Sequence, residues 1–214
     1  MIRTRVRRSL AAIAFVLLFG LLPRPAAAAN AAGANNAAAA SVALGARARV
    51  HEHARAMRRE LSRAEAQLKH RLARLPADSG VQVLHRPEGV LLRVPARILF
   101  APDSATLRRG DASAALALTA AVQLLKRRPR LSAQIDVYTD DIGGAALNRS
   151  VSEQRAQAVA AALHAAGVAV GRLRPRGGGL QDALASNDTP EGRMENRRVE
   201  IVFSPEPATA PAGG

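Results

Sequence analysis

A chain of 214 residues with a formal charge of +14 and no cysteine can carry no disulfide framework, thiolate zinc site or lipidated N-terminal cysteine. Its length allows one or two domains, and the low-complexity stretches described below leave room for one sizeable core. The basic charge invites anionic partners, but only 2% of residues are aromatic, too few for the stacking platforms that single-strand and RNA binders use; nucleic acid is set aside.

The chain opens with Arg3, Arg5, Arg7 and Arg8, an apolar run from Leu10 to Leu22, and the small residues Ala26 to Ala29 after Pro23-Arg24-Pro25. This is the layout of a secretory signal peptide over residues 1–29. The apolar run has 13 residues where a spanning helix needs about 20, so cleavage near Ala29 is expected rather than a permanent anchor. Cleavage removes five arginines from the +14 and leaves +9. Residues 30–43 are nearly all Ala, Asn and Gly, with no large apolar side chain before Val42, and read as a flexible linker.

From Leu44 to Leu75 the pattern changes. Met57, Leu61, Ala64, Leu68, Leu72 and Leu75 recur at spacings of three and four among Arg, Glu and Lys, which predicts a basic amphipathic helix, or stalk, over residues 44–75. The stripe is short, so a coiled coil with a second copy, docking on an envelope protein, or packing on another surface all fit it. The flanking arginines form a solvated face or attract anionic wall polymers or lipid headgroups, which leaves membrane association open.

Pro76 to Gly80 ends the helix, and a folded domain is expected over residues 81–204. Val81 to Leu84 and Val90 to Phe100 read as strands around a turn. Ala114, Leu118, Ala121 and Leu125 have helical spacing up to Pro129, and Leu131 to Thr139 alternates with the period of a half-buried strand. A second helix follows from about Val151 to Ala166, then strands from Val168 to Arg176 and Arg198 to Phe203. Alternating strands and helices predict a two-layer α/β domain of βαβαββ type with a mixed sheet. Residues 205–214, rich in Pro, Ala and Gly, are expected to be disordered.

Asp140 ends the alternating strand, Gly143 and Gly144 form a turn, and Ser150-Val151-Ser152-Glu153 has the pattern of a capping box opening the next helix. Ligands in such sheets sit beyond the carboxyl ends of strands. Arg155, a turn beyond Val151, can reach the same mouth. One carboxylate and one guanidinium flanking a pocket suit a zwitterion, with Asp140 accepting from an ammonium and Arg155 holding a carboxylate. The two can equally pair with each other or with solvent.

At this point the chain resembles a known family. Thr139-Asp140-Asp141-Ile142-Gly143, Asn148, Val151 to Ala156, Asn187, Thr189, Gly192-Arg193 and Asn196 to Ile201 follow in the order of the signatures of OmpA-like C-terminal domains, with Phe100, Ser104, Ala105 and Leu107 matching the exit of the first strand. The resemblance spans about Val90 to Phe203. It implies non-covalent binding of peptidoglycan through diaminopimelate, with Asp140 and Arg155 as the principal ligand residues and Thr139, Asn148, Arg197 and Arg198 as further candidates. It also implies a wall-associated periplasmic protein, at the outer membrane of a Gram-negative cell, with no enzymatic activity and no cofactor. The rival expectation is an envelope scaffold acting through its stalk, with a degenerate wall-binding site.

The family's usual Gly-His before Thr-Asp is Val137-Tyr138 here, which predicts a narrower pocket, and Leu180 departs from the usual loop after Gly177-Gly178-Gly179. Those glycines, with no Lys-Ser or Lys-Thr after them, read as a turn. Arg193, Arg197 and Arg198 read as an anion patch or as the solvated end of an edge strand, and Arg198 shares a strand face with Glu200. The five histidines have no metal-ligand spacing.

Overall fold

The computed structural model describes residues 26–205. The expected signal segment lies outside the described residues except for Ala26–Ala29, and the expected disordered tail lies outside them beyond Pro205.

Helix α1 spans Ala26–Leu72, so residues 30–43 are helical rather than a flexible linker. Their alanines explain the correction: Ala has the highest intrinsic helix propensity, and low hydrophobicity alone does not prevent a helix. The chain divides into two compact units between His51 and Glu52. In the first, the α1 side chains Val42, Leu44 and Val50 are exposed. In the second, Leu61, Ala64, Leu68 and Leu72 are buried in the main hydrophobic cluster, so the domain begins at Glu52 and not at Val81. The stripe predicted on the stalk is thus covered by the stalk's own domain.

A 3-10 turn at Ala77–Ser79 leads to strands β1 (Gln82–Arg86) and β2 (Gly89–Pro95). One helical turn follows as α2 (Ala96–Leu99), where a continuation of the strand to Phe100 was expected. Then come α3 (Ala112–Arg127), β3 (Leu131–Tyr138), α4 (Ala145–Ala165), β4 (Leu173–Gly179), α5 (Pro190–Asn196) and β5 (Arg198–Pro205). The sheet order is β1-β2-β5-β3-β4; β3 and β4 are parallel and the remaining pairs antiparallel. β5 is therefore an interior strand, not an edge.

The period-two pattern gives the sheet two different faces. Val90, Phe203 and Ala133 are cross-strand neighbours, as are Leu92, Ile201 and Ile135, and Val94, Val199 and Val137; these rows form the core. The opposite face carries a charged row, Arg93, Glu200, Asp136 and Arg176, across four strands. The three glycines finish β4 instead of forming a free turn. A Cβ on Gly177 would lie 2.5 Å from the Glu153 nitrogen, and one on Gly178 2.5 Å from the Tyr138 ring, so only glycine lets α4 and Tyr138 approach this strand.

Candidate binding cleft

α4 starts at Ala145 after Gly143 and Gly144, both with positive φ, so Ser150 to Glu153 lie inside the helix and are not a capping box. They have another task. Ser152 Oγ accepts from Gly179 N at 3.1 Å and Glu153 Oε2 from Gly177 N at 2.8 Å, pinning α4 to the end of β4. This places Arg155 well inside the helix, beside the loop that leaves β3.

That loop carries Thr139 and Asp140, both buried. Asn148 holds it in shape, its amide donating to Asp140 O at 3.1 Å and Ile142 O at 2.8 Å. Both amide hydrogens are thereby committed to backbone, which makes Asn148 a positioning residue. Asp140 Oδ1 accepts from Ile142 N at 3.2 Å, and its Oδ2 is ion-paired with Arg197 Nη1. The carboxylate therefore pairs with neither Arg155 nor solvent alone.

Arg155 is buried at 8% exposure, its Nε donating to Ser104 O at 2.9 Å and its guanidinium 5.2 Å from the Phe100 ring centroid. It forms no salt bridge among the described residues. Burial draws its pKa below the ordinary arginine value, opposed by the charges of Asp103 and Asp140. The sequence points to Arg155 but not to its supports, Ser104 and Phe100, because a backbone carbonyl and a ring face have no spacing signature.

Thr139, Asp140, Asn148, Arg155 and Arg197 line one cleft of about 650 Å³, floored by Phe100 and rimmed by Ile142 and Leu147. Its wall also carries Arg97, Arg108 and Asp103, so cations outnumber carboxylates. The Thr139 hydroxyl is buried there with no hydrogen-bond partner. Among the described residues no three His, Cys, Asp or Glu side chains could hold a metal ion, and no helix is long and apolar enough to cross a membrane.

Arg198 is not in this cleft. It is buried on the opposite sheet face, 3.9 Å from the Tyr138 ring centroid, its Nε donating to Glu200 Oε1 at 2.8 Å and its Nη2 to Asp182 O at 2.7 Å. Tyr138 occupies the same face, so it does not narrow the cleft, in contrast to the expectation from Val137-Tyr138. Strand alternation decides both cases: one residue along β3 or β5 moves a side chain to the other face.

Fold and cleft together define a two-layer α/β module with a charged cleft at the carboxyl end of β3. The chain belongs to the OmpA family, whose model matches residues 99–197. It is 33% identical over 134 residues to Outer membrane protein A of Bordetella avium, covering 59% of this chain and 67% of that protein. It is 40% identical over 127 residues to the probable lipoprotein YiaD of Escherichia coli K12, covering 59% of this chain and 57% of that one. Identity to the peptidoglycan-binding protein ArfA of Mycobacterium tuberculosis H37Rv is 42% over 107 residues, covering 50% of this chain and 32% of ArfA. The chain thus spans less than two thirds of YiaD and ArfA. Among solved structures it resembles the cell wall anchor of the type VI secretion system of Pseudomonas aeruginosa, with a TM-score of 0.57 and 28% identity over 65% of this chain and 97% of that one.

Proposed function

We propose that this domain binds peptidoglycan non-covalently by seating the zwitterionic end of diaminopimelate in the cleft, and so tethers the protein to the cell wall. Asp140 accepts from the ligand ammonium, Arg155 donates to its carboxylate, and the Thr139 hydroxyl completes the set. One observation carries the reading: a buried guanidinium without a salt bridge stands in the same cleft as a buried carboxylate. Such an arrangement is costly to fold and gains from a ligand that supplies the missing charge. The peptidoglycan-binding name of ArfA and the wall-anchor description of the secretion-system protein support it. The excess of cations suits a stem peptide carrying several carboxylates.

The signal-like N-terminus supports export to the periplasm with cleavage near Ala29. No covalent chemistry or cofactor is needed for this role. A partner for α1, a second copy or another envelope protein, would engage the exposed Val42, Leu44 and Val50, because the stripe from Leu61 to Leu72 packs within its own domain.

Co-sedimentation with sacculi, run beside a thermal melt, tests the site. Asp140→Ala and Arg155→Ala should each weaken binding roughly 10- to 100-fold, since a hydrogen bond to a charged group is worth about 1.5–3 kcal/mol. Wild-type binding by both folded variants would remove the assignment, and equal binding to lysine-type peptidoglycan would remove diaminopimelate as the ligand.

A further inference from the structure

We propose that the end of the domain opposite the cleft docks on an anionic lipid surface. The cleft lies beyond Tyr138 at one end of β3; the other end begins at Leu131, and eight residues of strand separate them by about 25 Å. Two segments build that far end: the run-out of α3 into Lys126, Arg127, Arg128, Pro129 and Arg130, and the 3-10 turn Val170–Arg172 leading into β4.

Arg172 fixes the two segments together. Its Nε donates to Leu131 O at 2.8 Å, and its Nη2 to Leu125 O at 3.0 Å and Arg128 O at 2.7 Å. The result is a rigid platform on which Lys126, Arg127, Arg130 and Arg174 stand exposed. No Asp or Glu occurs in residues 112–135 or 154–181, so neither segment supplies a neutralising carboxylate. Among the described residues, the sheet's own contribution of negative charge at this end is Glu88, in the turn between β1 and β2, whose strands are separated from β3 by β5.

Clustered cations of this kind are drawn to phosphate headgroups at a membrane surface. Val170, 67% exposed, stands two residues from Arg172 at the edge of the platform. An apolar side chain beside the charges gains from the boundary between headgroup and acyl chain, and gains nothing on a hydrated anionic wall polymer; this favours lipid. With the cleft about 25 Å away, both ends can be occupied at once, so the domain can bridge a membrane surface and the ligand of its cleft.

The test is co-sedimentation of the exported full-length protein with vesicles of phosphatidylcholine alone and with vesicles containing roughly 30% phosphatidylglycerol. The Lys126→Gln, Arg127→Gln, Arg130→Gln triple variant should partition about a hundredfold less onto the anionic vesicles, at roughly fivefold per charge, with an unchanged melt because all three side chains are exposed. The equally charged Arg55→Gln, Arg58→Gln, Arg59→Gln variant in α1 should lose far less. Wild-type partitioning by the first variant overturns the proposal. Equal losses from both variants also overturn it, since they would mean diffuse net charge, as would a loss confined to sacculus binding, since the platform would then read a wall polymer.

Discussion

Asp140 is ion-paired with Arg197, across the mouth of the cleft, while Arg155 stands deeper in the wall with only a carbonyl and a ring face for company. The two arginines therefore differ in what their loss should do. Arg197 is 41% exposed in its side chain but Asp140 only 9%, so the pair is half-exposed and contributes about 1 kcal/mol, the upper end of the surface range. Arg197→Ala should lower the melt modestly, because it leaves the buried Asp140 carboxylate without its partner, and alter sacculus binding by at most about fivefold. The larger loss expected for Arg155→Ala should keep the two variants apart on one binding isotherm. If Arg197→Ala is the more damaging, the guanidinium that meets the ligand carboxylate is the exposed one.

Thr139 gives a prediction in which stability and binding move in opposite directions. Its buried hydroxyl has no partner, so Thr139→Val removes an unpaired polar group at almost constant shape and should hold or raise the melting temperature. If the hydroxyl bonds the ligand, the same substitution weakens binding by roughly 2- to 12-fold, the equivalent of about 0.5–1.5 kcal/mol. Unchanged binding would take Thr139 out of the ligand set.

The rows of β2, β3 and β5 were legible because alternation has a fixed period, and so was the meeting of Asp140 and Arg155 at one cleft, because a strand end and the helix after it share one mouth. Register and layer were not legible. Arg198 reads like Arg197 in sequence, yet one step along β5 moves it to the far face against Tyr138. Ser152 and Glu153 have the residue types of a capping box, but the turn at Gly143-Gly144 starts the helix earlier and turns their side chains onto the β4 amides. The stripe of α1 has the spacing for a partner without saying which partner, and its own domain is the answer for Leu61, Leu68 and Leu72.

That packing predicts where the chain can be cut. A protein beginning at Glu52 keeps Leu61, Ala64, Leu68 and Leu72, the α1 side chains buried among the described residues, and should melt with the intact chain. One beginning at Val81 loses Leu61, Leu68 and Leu72 from the core, at about 1.5–3 kcal/mol each. Their sum is comparable to the net stability of a whole domain, about 5–15 kcal/mol. The shorter protein should therefore show a strongly lowered or absent cooperative transition by circular dichroism, and a melt equal to that of the longer one would show that the helix rests on the sheet without supporting it.

The charged row on the opposite sheet face predicts an acid-sensitive stability centred on Glu200. Its Oε1 accepts from Arg93 Nε at 2.9 Å and Arg198 Nε at 2.8 Å, and all three side chains are largely buried. Burial alone would raise its pKa, but the hydrogen bonds and charges of Arg198 and Arg93 outweigh burial, and the net shift is downward from 4.5. A carboxylate with a depressed folded-state pKa stabilises the fold above its unfolded pKa, and that contribution is lost as pH falls through the folded value. The loss should therefore begin below about pH 4.5 and deepen with acid. Glu200→Ala leaves two buried guanidiniums facing each other and should cost about 3 kcal/mol at neutral pH. Urea titrations of both proteins at neutral pH and along the acid limb measure the difference, which should shrink as the wild-type carboxylate is protonated. A constant gap across that range would mean that Glu200 acts through packing rather than charge.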